Sequence, residues 1–377
     1  MITMLNPNLS PTFAEIDLKA IKHNYQAIRK LTAKPVRILA VIKADAYGHG
    51  MLAVARTLNA LGVEFFGVSD VKEGMALRKA GIKKPILLLE STLVPLAKYI
   101  VDYNLIATVC TLDLAFALNR YAKTKRKTLD VHIKVDTGMG RLGVGYKETE
   151  NFVDKMFNFP HLSIKGIYTH FPAADTDKHF TRRQIVDLYR LVTRLDRKAS
   201  IIPYVHTANS AGLIDYPNHI LNLARPGLML YGLYPSSALK KKINLKPVMS
   251  VKSRIIFLKK IFKGQSISYG RSFIAKKNLT VATLPIGYNN GYFRSFSNKC
   301  HVLIGGARCP VLGRVTMDQI IVDVSKVKSP KIGMEVVILG RQGKETIDAD
   351  HLAHCAGTIN YEIVCSLGNR LPRVYNI

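Results

Sequence analysis

The chain lacks any apolar run near the roughly 18 residues that a bilayer span needs. Residues Met1 to Ser10 also lack the basic start and long apolar stretch of a secretory signal, so a cytoplasmic protein is expected. Cysteine is scarce and unpaired. Cys110, Cys300, Cys309, Cys355 and Cys365 form no Cys-x-x-Cys motif that would suggest a zinc knuckle or redox centre, and they read as reduced thiols. Acid is the third shortage. With 26 Asp and Glu against 55 Lys and Arg, the net charge of +29 favours anionic partners. Yet the basic clusters are short and scattered (Lys83-Lys84, Lys125-Arg126-Lys127, Arg182-Arg183, Lys240-Lys241-Lys242, Lys276-Lys277), and no RNA-binding signature or zinc finger accompanies them. A solvated basic surface is expected, with no specific nucleic-acid partner and no membrane partner.

What is present is a folded globular chain: 48% hydrophobic and 21% charged residues, with 26 Gly and 16 Pro spread along 377 positions. That length suits two domains, or one large barrel with an appendage. Eight short apolar runs alternate with amphipathic stretches over the first 230 residues: Arg37–Ile42, Phe65–Val68, Ile86–Leu89, Ala107–Val109, Val131–Val135, Ile164–Tyr168, Tyr204–His206 and Asn222–Ala224. Between them lie helical faces such as Leu18, Ile21, Tyr25, Ile28 and Leu31, or Ile185, Leu188, Leu191 and Leu195. The pattern predicts an α/β protein with an N-terminal (β/α)8 TIM-type barrel over residues 11–243, although periodicity alone also fits an open doubly wound sheet. From residue 244 to 377 the texture becomes β-rich: Val248–Lys259, Ser266–Tyr269, Leu279–Ile286, Cys300–Ile304, Ile320–Val324 and Glu335–Leu339, then a helix at Ala349–Ala356 behind the cap candidate Asp348. This predicts a C-terminal mostly-β domain, with which residues 1–10 could pair.

In a barrel, chemistry gathers where strands end at the C-terminal face. Lys43 directly follows Ile38-Leu39-Ala40-Val41-Ile42, at a place where desolvation lowers an amine's pKa, and the polar turn Ala44-Asp45-Ala46-Tyr47-Gly48-His49-Gly50 comes next. A lysine there is either an ordinary surface residue or a Schiff-base amine in search of an aldehyde. Near the seventh and eighth strands, Asn209-Ser210 and Gly227-Leu228 offer a hydroxyl and backbone N–H groups of the kind that bind phosphate. Arg225 should point inward beside them. An arginine facing a pyridine nitrogen must donate to it, leaving that nitrogen unprotonated and the ring less electron-withdrawing. Gly138-Met139-Gly140-Arg141-Leu142-Gly143 also fits a dinucleotide-binding glycine pattern, but it follows the fifth strand and no ribose-binding acid follows about 20 residues on.

The sequence resembles the alanine racemases, pyridoxal-phosphate enzymes of barrel-plus-β-domain type. The likeness runs through Ala40–Gly50, Lys134–Gly143, Tyr168-Thr169-His170-Phe171, His206–Ala211 and Ala224-Arg225-Pro226-Gly227. It continues through Ser268-Tyr269-Gly270, Gly287-Tyr288, Gly313–Gln319 and Thr358–Glu362, covering essentially the whole chain in order. The resemblance implies that Lys43 holds pyridoxal 5'-phosphate covalently and acts as base toward the D-enantiomer, with Tyr269 as the opposite base. It implies that Tyr47, Asn209, Ser210, Gly227, Leu228 and Tyr361 hold the cofactor and that His170 supports Arg225. Arg141, Met317, Asp318 and Tyr288 would serve the substrate, L- or D-alanine, with Tyr288 narrowing the entrance. Lys134 would be carbamylated, the alternative being an ordinary lysine paired with an acid such as Asp136. A head-to-tail homodimer is implied, with Tyr269 and Met317 completing the partner's site, and D-alanine would supply peptidoglycan.

Two positions depart from the family pattern. Asn289-Asn290 stand where Ala-Asp is common, and Thr316 stands where many relatives have Cys. A broad-specificity amino-acid racemase is the nearest alternative activity; a decarboxylase fits the Arg225 pairing less well.

Overall fold

The computed structural model describes residues 10–32, 35–195, 198, 201–219, 221–240 and 242–377. They fall into two compact units, one of Ile21–Ala46 with Met51–Lys246, the other of the chain up to Ala20, Tyr47–Gly50 and Pro247–Ile377. The first strand corrects the expected barrel start at residue 11. Strand β1 (Phe13–Asp17) pairs antiparallel with the strand at Met249–Arg254 and parallel with that at Arg373–Asn376. Its alternate residues Ala14 and Ile16 are fully buried, so this apolar face is covered by the β-rich unit. The pairing expected for residues 1–10 falls on 1–9, outside the described residues.

The other unit is the expected barrel. Strands β2 (Arg37–Val41), β3 (Phe65–Val68), β4 (Ile86–Ser91), β5 (Ile106–Val109), β6 (Leu129–Asp136), β7 (Leu162–Tyr168), β8 (Tyr204–His206) and β9 (Leu223–Ala224) run parallel in sequence order, and β9 pairs back onto β2. Between β8 and β9 the ladder is replaced by Val205 N–H to Asn222 Oδ1 at 2.8 Å and Arg225 N–H to Ala208 O at 3.0 Å, so the cylinder is nearly closed. Strands buried on both faces read as continuous apolar runs, and for that reason all eight were visible in the sequence. The helices are α1 (Leu18–Leu31), α2 (Met51–Ala60), α3 (Val71–Lys79), α4 (Ala97–Asp102), α5 (Leu112–Thr124), α6 (Thr149–Phe157), α7 (Lys178–Arg194) and α8 (Ser210–Asp215). Helix α7 buries Ile185, Leu188 and Leu191 and is capped by Asp177, whose carboxylate accepts from Phe180 N–H at 2.9 Å.

In the β-rich unit, β10 (Met249–Arg254), β11 (Phe257–Ile261), β12 (Leu279–Leu284), β13 (His301–Ile304), β14 (Ala307–Pro310), β15 (Ile320–Asp323), β16 (Glu335–Gln342), β17 (Glu345–Ile347) and β18 (Arg373–Asn376) form two main sheets. One runs β14-β13-β16-β10-β1-β18, and the other β11-β12-β15. The single strand expected at Val248–Lys259 is therefore two. Ile255 N–H bonds Met334 O while Ile256 N–H bonds Thr283 O, each at 3.0 Å, so the backbone passes from one sheet to the next at that pair. The strand expected at Ser266–Tyr269 stops at Ile267, because Ser268 takes φ 64° and Tyr269 opens a one-turn helix. Helix α9 (Ala349–Ala356) starts at the anticipated Asp348 cap, and α10 (Asn360–Arg370) follows without having been anticipated.

Candidate active site

Strand β2 delivers its lysine to the barrel mouth in an unusual way. After Lys43 the chain takes left-handed dihedrals at four consecutive non-glycine residues, Ala44, Asp45, Ala46 and Tyr47, with φ between 52° and 56°. L-residues disfavour this conformation by about 1–2 kcal/mol each, so neighbouring bonds must impose it. The Asp45 carboxylate accepts from Met51 N–H at 2.6 Å, and Ala46 N–H donates to Ile42 O at 2.8 Å. Half-buried Lys43 itself makes no hydrogen bond or ion pair among the described residues.

Inside the cylinder Arg225 is buried and held on both forks. Nη1 donates to His206 Nδ1 at 2.7 Å, and Nη2 donates to Thr169 O at 2.7 Å and Thr207 O at 2.8 Å. His170 Nδ1 lies at 3.5 Å, so the support expected from His170 comes mainly from His206. Burial lowers the guanidinium only to about 10, which leaves it a cation at neutral pH. Beside it, burial drives His206 far below the usual imidazole range and His132 to about 3, so both rings are neutral. Since His206 Nδ1 accepts from arginine, its Nε2 carries the proton and donates to His132 Nδ1 at 3.0 Å. Tyr168 stacks on His206 with ring centroids 4.5 Å apart and has both Arg225 Cζ and Lys134 Nζ 5.1 Å from its own centroid. No protein group takes the Nε–H of Arg225 among the described residues. His206 was legible only as part of a motif, because β8 gives three residues of alternation from which to infer an inward side chain.

Lys134, on β6, is almost fully buried, and desolvation followed by the charges of Arg225 and Arg141 lowers it to about 7. The alternative pairing with Asp136 does not occur. That carboxylate instead accepts from the N–H groups of Gly138, Met139 and Gly140, folding the loop that carries exposed Arg141. After desolvation, His170 is depressed by Arg225, Lys134, Arg141 and Lys43. Three basic side chains and a Lys134 amine that is about half charged at neutral pH thus act on one imidazole.

The candidate anion cradle lies at the ends of β8 and β9. Asn209 caps α8 by accepting from Gly212 N–H at 3.0 Å and donates to Phe171 O at 3.1 Å. The Ser210 hydroxyl oxygen accepts from Gly227 N–H at 3.1 Å, drawing the Gly227-Leu228 backbone against it. The remaining candidates lie in the β-rich unit. Tyr47 and Tyr361 have ring centroids 6.0 Å apart, and burial raises the Tyr47 phenol well above its ordinary value, so it stays protonated. Tyr269, Tyr288 and Met317 are exposed at 71%, 41% and 54%. Tyr288 N–H donates to Thr316 O at 3.0 Å, and Asn289 N–H to Met317 O at 2.9 Å. The Asn289 amide reaches Asp318 Oδ1 at 3.4 Å, while the Ser268 hydroxyl next to Tyr269 donates to Arg314 O at 2.6 Å. Tyr269, Tyr288, Met317 and Asp318 therefore sit on interlocked loops.

This donor set fits pyridoxal phosphate: a Lys43 side chain with no hydrogen-bond or ion-pair partner among the described residues, a Ser210 hydroxyl with adjacent backbone for a phosphate, and an uncommitted Arg225 Nε–H for an unprotonated ring nitrogen. A family model described as the alanine racemase N-terminal domain matches residues 16–235, and one described as the alanine racemase C-terminal domain matches 248–375. An alanine racemase of Halothermothrix orenii is 43% identical over 366 residues, 97% of each chain. The solved alanine racemase of Clostridium difficile 630 superposes with a TM-score of 0.92 at 36% identity, over 97% of this chain and 96% of that one. That of Bacillus anthracis, solved with bound L-Ala-P, gives 0.91 at 32% identity over 98% and 95%.

Proposed function

The chain belongs to the alanine racemase family of isomerases, and from that premise we propose that it interconverts L- and D-alanine with pyridoxal phosphate by two bases, Lys43 and Tyr269. The observation that carries the reading is a buried Arg225 guanidinium fixed inside the cylinder by Thr169 O and Thr207 O, with Lys43 and Arg141 among the cations that depress neighbouring His170, the Ser210–Gly227 cradle at the strand ends, and the Asp136 carboxylate committed to its own loop. Such a mouth is unbalanced until anions enter, and an amino-acid carboxylate and a phosphate ester are the anions this reaction brings.

Lys43, Tyr47, Asn209, Ser210, Gly227, Leu228 and Tyr361 would hold the cofactor, with Arg225 donating Nε–H to its ring nitrogen. When bound, it supplies an electron sink for negative charge at the substrate Cα. Arg225 limits that sink, because a guanidinium at about 10 has no proton to release to the ring, and prompt return of a proton to Cα is favoured over transamination. Lys43 Nζ takes the proton from D-alanine and Tyr269 Oη from L-alanine; two bases are needed because one tends to return a proton to the face it left. Arg141 and the Met317 backbone bind the carboxylate, with Tyr288 and Asp318 at the entrance. A lysine at about 7 is about half free amine at neutral pH, the form that takes up carbon dioxide, and a carbamate on Lys134 would orient Arg141.

Borohydride reduction of the holoenzyme followed by peptide mapping is expected to leave the pyridoxyl label on Lys43, and a label on any other lysine rejects the assignment. Tyr269→Ala should abolish deuterium wash-in from L-alanine while sparing that from D-alanine; equal loss from both contradicts two faces. We place the reaction in the cytoplasm, as a source of D-alanine for peptidoglycan.

A further inference from the structure

The barrel carries a feature that this chemistry does not use. Between β4 and α4 the segment Leu93-Val94-Pro95-Leu96 stands out from the surface, with Leu93 74%, Val94 43% and Leu96 38% exposed, and Phe116 on α5 is 60% exposed. These side chains form one patch. Val94 and Pro95 share a hollow of about 340 Å³ with Phe116, Ala117 and Tyr121, and Leu96 shares another of about 480 Å³ with Val71, Met75 and Tyr99. The segment contributes to both hollows, and we call it the ridge. Contiguous exposed apolar surface of this kind marks an interaction site more often than chance exposure does.

Cations ring the ridge. Lys72 and Lys79 line one hollow and Arg120 the other, while Lys98 on α4 lies over the Tyr99 ring at 4.7 Å. The acids lining the two hollows are Asp70, whose carboxylate caps α3 by accepting from Glu73 N–H at 2.9 Å, and Asp113. The net charge of +29 adds a long-range attraction of the same sign.

We propose that this ridge inserts into the headgroup layer of an anionic lipid bilayer, so that the enzyme binds membrane peripherally. A partner helix needs one continuous apolar trough, whereas this segment is divided between two separate hollows; exposed leucine and phenylalanine flanked by lysine and arginine suit a soft anionic interface. The lack of a spanning helix among the described residues bears on crossing a bilayer and not on lying against one.

The chain has no tryptophan, so Phe116→Trp makes a single reporter at the ridge. The holoenzyme variant is mixed with vesicles of phosphatidylglycerol and phosphatidylcholine, or of phosphatidylcholine alone, at about 0.15 M salt. A blue-shifted emission with the anionic vesicles only is expected. In co-sedimentation, Leu93→Ser/Phe116→Ser should bind at least about tenfold more weakly than the parent, and Lys98→Glu/Arg120→Glu likewise, while Lys276→Glu/Lys277→Glu, which makes the same charge change in the β-rich unit, should bind as the parent does. Racemase activity should be unchanged in all three, which also certifies their folding. No binding to anionic vesicles overturns the proposal, as does binding that the ridge variants leave intact, since charge alone then suffices. Ridge-dependent capture of an acidic amphipathic peptide without vesicle binding overturns it in favour of a protein partner.

Discussion

Lys134 shows what a single buried amine does in this barrel. It sits at about 7 because β6 points it inward beside two guanidiniums, against 10.5 for a free lysine. Between those values the unfolded chain holds a proton that the folded chain does not, so stability rises with pH across the window, by several kcal/mol in order of magnitude, and is flat beyond it. Lys134→Met removes this term. While Lys134 is an unmodified amine, chemical denaturation should therefore show the parent gaining on the variant as pH rises from about 7 to about 10; a constant difference in protein that mass spectrometry shows to be uncarbamylated means the amine is not desolvated. The sequence placed Lys134 in a motif but left its partner open, since a spacing of two from Asp136 is compatible with an ion pair. The loop N–H groups that occupy that carboxylate belong to tertiary geometry. His206 was similarly obscured: neutral core histidine and arginine holder are the same residue type at the same spacing.

At the scale of the element, the left-handed turn after Lys43 is secured downstream by Gly48. That glycine takes φ +80°, and a Cβ on it would lie 2.5 Å from Val364 O and 3.1 Å from the Cα of Gly368 on α10. Gly48→Ala should cost about 2–4 kcal/mol from forced backbone and overpacking together. Gly62→Ala, at the same φ with nothing within 4 Å, should cost about 1 kcal/mol. Thermal unfolding of the two variants separates them, and equal losses would mean that the contact with α10 carries no stability. The glycine-rich turn was legible as too polar for a plain connection; its handedness was not, because three of its four left-handed residues are alanine or tyrosine, which give no local signal for positive φ. Barrel strands were plain because double burial writes continuous apolar runs. Helix α10 was missed because Asn360–Arg370 mixes β-branched and aromatic residues, and only packing of Ile363, Val364 and Leu367 decides in favour of helix.

For the whole molecule, the two units divide the chemistry. Lys43, Arg225 and the anion cradle belong to the barrel unit, whereas Tyr269, Tyr288, Met317 and Asp318 belong to the β-rich unit and are exposed in a single chain. Sequence pattern separated the units but misassigned β1, whose period-2 alternation fits either sheet until its partners are known. An exposed Tyr269 beside exposed Tyr288 and Met317 is what a site shared between two copies of the chain would leave on each copy, as the head-to-tail dimer implied by the family resemblance requires. The direct test is to purify mixed dimers of Lys43→Ala and Tyr269→Ala chains through two different tags and assay racemisation. Each homodimer is inactive on this account, but a mixed dimer with sites shared between chains has one site carrying both lesions and one carrying neither, so it should recover about half the parent's activity per dimer. A mixed dimer as inactive as its parents would contradict the shared two-base site.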